Sequence, residues 1–160
     1  YLGALNRNSD IPDLLICGGE GWRGEGDKLR NLAESSNGKI KFLGYVADEE
    51  LNSLILRCKA FFFPSMYEGV GLPPMEAALL GAPVVCSNIP SISELLKDIA
   101  CLIDPDDLDT WEDSFIRASN DVEWLDSLSQ NNTNLTSITY EITAIETHRA
   151  YISTKNSTNR

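Results

Sequence analysis

Short apolar runs alternate along the chain with segments in which apolar residues recur every three or four positions. The apolar runs have strand length and cover residues 14–17, 40–43, 60–63, 83–86 and 101–103. The segments with helical spacing between them cover residues 27–35, 48–55, 73–80 and 91–96. Alternation of strand and helix with short connections is typical of a parallel sheet covered by helices. The pattern predicts an α/β fold with a Rossmann-like, doubly wound parallel sheet.

Particular residues sharpen the predicted boundaries in the middle of the chain. Residues 60–63 are all apolar, which predicts a strand buried on both faces of the sheet. Pro73 and Pro74 fix the backbone where a helix begins, since the first helical positions need no N–H group. Gly81 is predicted to end this helix.

Two further helix starts are predicted from capping residues. Asp48 is the expected N-cap of one helix, and Ser91 with Glu94 has the spacing of a capping box. After residue 104 the pattern predicts only helix and loop, with residues 127–138, rich in Ser, Gln, Asn and Thr, as a loop.

Length and charge restrict the class of protein. The 160 residues suit one domain with a real core, and 42% apolar with 23% charged residues is globular composition. The net charge is −11, and residues 94–126 hold eleven acidic side chains against Lys97 and Arg117. Such a surface excludes nucleic acid and anionic lipid as main partners. No apolar run approaches the roughly 20 residues that span a membrane.

Several residues with reactive or metal-binding side chains are better explained by structural roles than by catalysis or metal binding. The cysteines form no C-x-x-C pair, which predicts buried free thiols in a reducing compartment such as the cytoplasm. They are Cys17, Cys58, Cys86 and Cys101. The D-x-D patterns at 104–106 and 107–109 are expected to complement a helix start rather than bind a metal. His148, the one histidine, is expected at the surface or in packing.

The densest chemical signal lies in residues 64–77, between a buried strand and a helix. Gly69 and Gly71 allow a tight turn and close approach of the backbone to a ligand. The helix that follows presents free N–H groups and a positive dipole end, which suit a phosphate. Glu68 and Glu76 lie on either side of that phosphate site, where carboxylates accept hydrogen bonds from paired hydroxyls. A nucleotide-sugar has this layout, with hydroxyl-rich groups at both ends of a diphosphate.

This segment resembles the E-x7-E signature of the retaining glycosyltransferases of GT-B fold, of the family 4 or group 1 type. The resemblance covers roughly residues 12–152, and it includes the strand and turn at 14–19 and the segments at 42–51, 81–85 and 102–105. The last part, 138–151, is similar to the family's closing helix. The Gly21-Trp22 pair is similar to a mannosyltransferase-like branch.

The resemblance implies a role for each matching residue. Glu68, the catalytic candidate, would contact hydroxyls of the transferred sugar by positioning the donor and stabilising charge, not as a nucleophile. Glu76 would hold the ribose hydroxyls. The remaining donor-binding candidates act largely through their backbone: Gly18, Gly19, Tyr45, Val46, Gly69, Val70, Gly71 and Leu72. No metal or other cofactor is implied, and the nucleotide-sugar is a substrate.

The resemblance also implies what lies outside this chain. It matches the donor-binding C-terminal half of an enzyme of polysaccharide biosynthesis, without the first strand of that half and its Arg/Lys pair. Arg7 is in the wrong context to replace that pair, whereas Arg23 and Lys28 lie near the first loop. The partner would be an acceptor-binding N-terminal domain, and this segment alone is expected to be inactive.

Alternatives stay open at this stage. Tyr45 is as consistent with a packing aromatic as with a base contact. The chain is alternatively a stand-alone nucleotide-sugar-binding module, a subunit of a split enzyme, or a remnant that has lost binding. Residues 1–153 are predicted to form the domain and 154–160 a polar tail. The expected location is the cytoplasm, free or at the membrane surface in a full enzyme.

Overall fold

A computed structural model of the chain describes residues 1–19 and 25–130. Its five strands are β1 (Leu14–Cys17), β2 (Ile40–Gly44), β3 (Phe61–Phe63), β4 (Val84–Ser87) and β5 (Cys101–Ile103). Its seven helices are α1 (Leu2–Arg7), α2 (Glu25–Glu34), α3 (Asp48–Arg57), α4 (Leu72–Leu79), α5 (Pro90–Leu96), α6 (Leu108–Asn120) and α7 (Val122–Gln130). The predicted α/β alternation is confirmed, and β1 and β5 have the predicted bounds.

All strand pairs in the described residues are parallel, and they form two separate ladders. In the first, β1 pairs with β2 from Leu14 opposite Ile40. In the second, β4 lies between β3 and β5, with Phe61 opposite Val84. Within the described ranges, neither β1 nor β3 has a ladder partner on its second edge. The resemblance to group 1 glycosyltransferases implies one further strand in this domain.

The burial of the strands follows from their neighbours. All four residues of β4 are buried, because β4 has a strand on each side and helices on each face. The three phenylalanines of β3 are only half-buried. The prediction that β3 is buried on both faces is therefore wrong for the described residues. Its composition is that of a central strand, but among the described residues only β4 pairs with it.

Two apolar clusters lie on opposite faces of β4. Val84 and Cys86 point into a cluster with α4, α5 and Ile55 of α3. Val85 points into the other cluster, with the α6 and α7 tryptophans, Trp111 and Trp124. Side chains of a strand alternate between its faces, so this one strand contributes to both halves of the core.

Helix α1 and the tyrosine before it contact both the segment before β1 and helix α6. The Tyr1 hydroxyl donates to the Pro12 carbonyl beside β1, at 2.7 Å. The Tyr1 ring meets Phe115 of α6 edge-on, and Phe115 stacks on Phe62 of β3 with ring centroids 4.0 Å apart. Arg7 pairs with the Asp113 carboxylate at 2.7 Å. Sequence reasoning missed this helix, since six residues carry too little periodicity to predict one.

Helix α4 begins and ends at glycines. Gly71 occupies the N-cap position in the left-handed region, with φ of 79°. At the other end Gly81 has φ of 84°, and its N–H donates to Ala78 while that of Ala82 donates to Ala77. This pair of bonds is the Schellman motif, which satisfies carbonyls at a helix end. The prediction that Gly81 ends the helix is confirmed.

Two of the predicted helix caps and one predicted loop are wrong. Asp48 is the first residue of α3, and Ala47 holds the N-cap position without a side-chain bond. Helix α5 starts at Pro90, so Ser91 is already inside the first turn and the predicted capping box does not form. Helix α7 continues to Gln130, which replaces the first part of the loop predicted at 127–138. The rest of that loop lies outside the described residues.

The cysteines are free thiols, but they are not all buried. Cys86 is buried and Cys17 is exposed, with Cys58 and Cys101 between these extremes. The prediction of burial is therefore wrong for Cys17, because it lies with Leu15 on the face of β1 whose side chains are exposed. None of the helices in the described part of the chain combines the length and apolar composition needed to traverse a bilayer.

Candidate functional site

The first group of predicted site residues lies where β1 and β2 end. The Gly18 N–H donates to the Gly44 carbonyl at 2.8 Å, so the turns after the two strands are adjacent. This contact brings Gly18 and Gly19 beside the segment that begins with Tyr45 and Val46. The Tyr45 side chain is 86% exposed, so the alternative that it is a packing aromatic is wrong here. Its ring is available to a ligand.

The second group lies after β3, where the chain turns into α4. Gly71 needs its positive φ of 79°, and a Cβ there would lie 2.8 Å from Cγ1 of Ile92. Gly69 does not have a positive φ, and a Cβ added there meets no atom within 4 Å. The turn therefore needs glycine at 71 but not at 69, which leaves open space beside Gly69.

Backbone donors without a partner lie in the same turn. Within the described residues, the N–H groups of Gly69, Val70, Gly71 and Leu72 donate to no acceptor. The next two positions of α4 are prolines, which carry no N–H group. The side chains of Val70 and Leu72 are exposed. A run of unpaired amides at a helix start is an anion-binding arrangement.

Glu68 lies in the same loop, half-buried, with one carboxylate oxygen held in place. The Ser65 hydroxyl donates to Oε1 of Glu68 at 2.8 Å. Ser65 also lies 3.1 Å from the Tyr67 carbonyl. No other polar contact to the Glu68 carboxylate occurs among the described residues, so Oε2 remains free. Sequence reasoning gave Ser65 no role, although the S-x-x-E spacing was a signal for such a contact.

Glu76 is the fifth residue of α4 and is exposed, and its carboxylate makes no hydrogen bond or ion pair with any described residue. The two carboxylates thus lie on either side of the helix start, Glu68 before it and Glu76 after its first turn. This agrees with the arrangement predicted from the sequence.

Ser87, at the carboxyl end of β4, was not predicted to matter. Its hydroxyl oxygen is buried and has no hydrogen-bond partner within the described residues. Buried polar groups are nearly always paired, so an unpaired one indicates a cost to stability or an absent partner. Nothing in a single serine at a strand end distinguishes it at the sequence level.

The acidic and basic residues considered for other roles are explained by local structure. Asp107 caps α6 by accepting from the Thr110 N–H at 3.1 Å and from its hydroxyl at 2.6 Å, which lowers the pKa of Asp107. Asp104 accepts from the Asp106 N–H. Lys28 is exposed on α2. Arg23, Trp22 and His148 lie outside the described residues, as do the closing helix and tail.

Comparison with known proteins identifies the family. Residues 4–135 match the family model described as glycosyl transferases group 1. This chain belongs to that family. The match covers most of the chain, including both groups of site residues, and it confirms the resemblance drawn from the E-x7-E segment.

The group 1 chain has curated relatives in bacteria. It is 41% identical over 113 residues to O-antigen chain mannosyltransferase B of Escherichia coli, covering 69% of this chain and 29% of that protein. It is 39% identical over 74 residues to O-antigen chain mannosyltransferase RfbU of Salmonella typhimurium, covering 46% of this chain and 21% of that protein. The chain thus spans less than a third of the length of these relatives.

Solved structures confirm the fold. Sucrose-phosphate synthase of Thermosynechococcus elongatus superposes with a TM-score of 0.78 at 22% identity, over 98% of this chain and 41% of that one. Anabaena Alr3699/HepE, solved in complex with UDP-glucose, gives a TM-score of 0.74 at 19% identity, over 96% of this chain and 44% of that one. The Rossmann-like α/β fold of this group 1 chain is that of GT-B glycosyltransferases.

Proposed function

We propose that this chain is the donor-binding domain of a retaining glycosyltransferase that moves a sugar from a nucleotide-sugar to an acceptor. The observation that carries the proposal is the row of unpaired amides from Gly69 to Leu72 at the start of α4, with a half-buried carboxylate beside it. Backbone amides and a helix dipole bind a diphosphate without requiring net positive charge. They therefore suit a chain with a net charge of −11.

The two carboxylates would bind the hydroxyl-rich ends of the donor. Glu68, with Oε2 free, would accept from hydroxyls of the transferred sugar. Glu76, exposed beyond the first turn of α4, would accept from the ribose hydroxyls. Carboxylates suit both tasks because an ionised carboxyl group only accepts hydrogen bonds. Gly18, Gly19, Tyr45 and Val46 would line the other side, next to the base.

The names of the relatives suggest the sugar and the setting. The two bacterial relatives named above are mannosyltransferases of O-antigen chains, so we propose mannose as the sugar and polysaccharide biosynthesis as the process. An acceptor-binding domain would supply the other half of the active site, and closure of the two would align acceptor and donor. We place the full enzyme in the cytoplasm or at the membrane face.

A thermal-shift screen tests the proposal. The purified chain is measured with GDP-mannose, UDP-glucose and ADP-glucose, each paired with its nucleoside diphosphate. A ligand at 100 times its Kd adds about 2.7 kcal/mol to the folded state, which gives a clear rise in Tm. We expect one nucleotide series to raise Tm, with GDP-mannose as the leading candidate. No shift with any of them, in this chain or in a longer protein that contains it, would contradict a donor site.

Two variants assign the carboxylates. Glu76→Ala should weaken binding of nucleotide-sugar and nucleoside diphosphate alike, since both contain the ribose. Glu68→Ala should weaken the nucleotide-sugar far more than the diphosphate. Glu123→Ala, an exposed glutamate in the first turn of α7, is the control. Equal losses for both ligands in the Glu68 variant would contradict its assignment to the sugar.

A further inference from the structure

We propose that Ser65 is a positioning residue that holds the Glu68 carboxylate in the orientation needed for the donor sugar. The inference rests on the proposed function, because it assigns a purpose to the loop that contains Glu68. Ser65 is not one of the predicted donor-binding residues, and its hydroxyl is turned to the carboxylate rather than to open solvent.

The contact has the geometry of a strong hydrogen bond. The Ser65 Oγ lies 2.8 Å from Glu68 Oε1 and 3.1 Å from the Tyr67 carbonyl oxygen. A hydroxyl has one proton to donate, and the charged carboxylate is both the nearer and the stronger acceptor. With Oε1 engaged, Oε2 is the oxygen that remains for a sugar hydroxyl.

The other residues of the loop do not hold the Glu68 side chain in place. Met66, Tyr67, Gly69 and Val70, which surround Glu68 in sequence, are all exposed. Within the described ranges, the Ser65 hydroxyl is the one polar group that holds the Glu68 side chain. Ser65 itself is half-buried and follows β3 with only Pro64 between them. The Ser65 hydrogen bond thereby connects the long Glu68 side chain to the backbone next to the end of β3.

Loss of the hydroxyl should free the glutamate without removing it. A long acidic side chain that is not held has many rotamers, and only some point Oε2 at the sugar. The loss should therefore affect ligands that carry the sugar and spare those that lack it. A purely structural serine would instead alter both classes of ligand together, through the shape of the loop.

The experiment measures binding of GDP-mannose and GDP to the full-length protein by calorimetry. UDP-glucose and UDP replace them if the thermal-shift screen selects that series. The variants are Ser65→Ala, Ser65→Thr, Glu68→Gln and the double variant Ser65→Ala/Glu68→Gln. Ser119→Ala is the matched control, a half-buried serine on α6 whose hydroxyl donates to the Ile116 carbonyl.

We expect Ser65→Ala to weaken GDP-mannose about tenfold, the size typical of a hydrogen bond to a charged group. GDP binding should be unchanged, and Ser65→Thr, which keeps the hydroxyl, should restore GDP-mannose affinity. In the Glu68→Gln background the serine substitution should add little, because the charged acceptor is already gone.

Four results would overturn the inference. Ser65→Ala with normal GDP-mannose affinity, or with equal losses for both ligands, removes the positioning role while the donor site stands. Additive losses in the double variant show that the two side chains act independently. If the unsubstituted protein binds none of the nucleotide-sugars, the proposed function fails and the role of Ser65 fails with it.

Discussion

Two buried serines, one in a turn and one on β4, differ in whether their hydroxyl groups are hydrogen-bonded. Ser36 donates to the Ala33 carbonyl and accepts from the Ile40 N–H, so its hydroxyl is fully used. The buried hydroxyl of Ser87 has no partner within the described residues. An unpaired buried polar group costs roughly 1–3 kcal/mol. The same side chain thus stabilises the fold at one position and costs stability at the other.

Ser87→Ala should therefore raise the free energy of unfolding by about 1 kcal/mol, measured by urea denaturation. Ser36→Ala is the matched comparison, and it should lower the same quantity because it leaves the Ile40 N–H without its acceptor. A Ser87 variant that is destabilised as much as the Ser36 variant would show that the hydroxyl has a partner in solution.

Cys86 links stability to pH. Burial, with a smaller contribution from Cys101, raises the pKa of the Cys86 thiol from 9.0 to about 12. Between these values the unfolded chain loses the proton while the folded chain keeps it. Stability must then fall as the pH rises above 9. Burial also raises the pKa of Cys17, Cys58 and Cys101, with the same sign.

Urea unfolding at pH 8 and pH 10 checks this expectation. The unsubstituted protein should lose stability between the two values, and Cys86→Ala should lose less, although it starts lower because of the cavity it creates. An identical loss in both proteins would mean that Cys86 does not cause the pH dependence.

At the scale of elements, the start of α4 assigns different tasks to its two glycines. Gly71 has a left-handed backbone and Ile92 within 2.8 Å of where a Cβ would lie, whereas Gly69 has neither constraint. Gly71→Ala should cost at least about 1–2 kcal/mol of stability, from the backbone conformation alone. Gly69→Ala should leave the melting temperature nearly unchanged and weaken nucleoside diphosphate binding, since a methyl group would enter the open space.

Both substitutions are measured by denaturation and by ligand titration on the same samples. The prediction is that Gly71→Ala lowers stability, whereas Gly69→Ala lowers affinity for the nucleoside diphosphate. If Gly69→Ala destabilises the fold and leaves binding intact, the open space beside Gly69 has no part in ligand binding.

The elements show which features of a sequence carry structural information. The bounds of β1 follow from an apolar run between Asp13 and the glycine pair that begins at Gly18, and the end of β5 follows from Asp104. The end of α4 follows from Gly81, whose φ only glycine adopts readily. The capping box at Ser91 failed because Pro90, also suited to a first turn, begins the helix one residue earlier. Competing local signals of similar strength cannot be ranked without the tertiary structure.

The sequence predicted which residues belong to the candidate site, but not the contacts that their side chains make. Glu68, Gly71 and Glu76 lie where a strand–turn–helix pattern places them. The Ser65–Glu68 hydrogen bond and the unpaired Ser87 hydroxyl depend on side-chain rotamers and on packing between distant segments. Such facts have no counterpart in hydrophobic periodicity.

At the scale of the whole molecule, the edges of β1 and β3 that have no strand partner within the described residues should govern association between molecules. Both strands are apolar, and the Leu15 side chain on β1 is 43% exposed. An apolar strand with an unpaired edge is a template for pairing with another chain. We expect this 160-residue chain to self-associate as its concentration rises.

Leu15→Lys should reduce this association in sedimentation experiments, because a charged side chain on an edge strand opposes pairing between molecules. Leu56→Lys is the control, since Leu56 is 62% exposed and lies on helix α3 rather than on a strand. An equal effect of both substitutions would point to general repulsion rather than to the edge of β1.

The contact between α1 and α6 has a consequence for the order of folding. Each strand pair joins residues fewer than thirty positions apart, whereas Tyr1 meets Phe115 across more than a hundred. Closing the longer loop costs more entropy, so the ladders should form before α1 docks. Tyr1→Leu should then speed unfolding and leave the folding rate unchanged, a φ-value near zero in stopped-flow experiments. The first residues of the chain are thus the last to reach their native contacts.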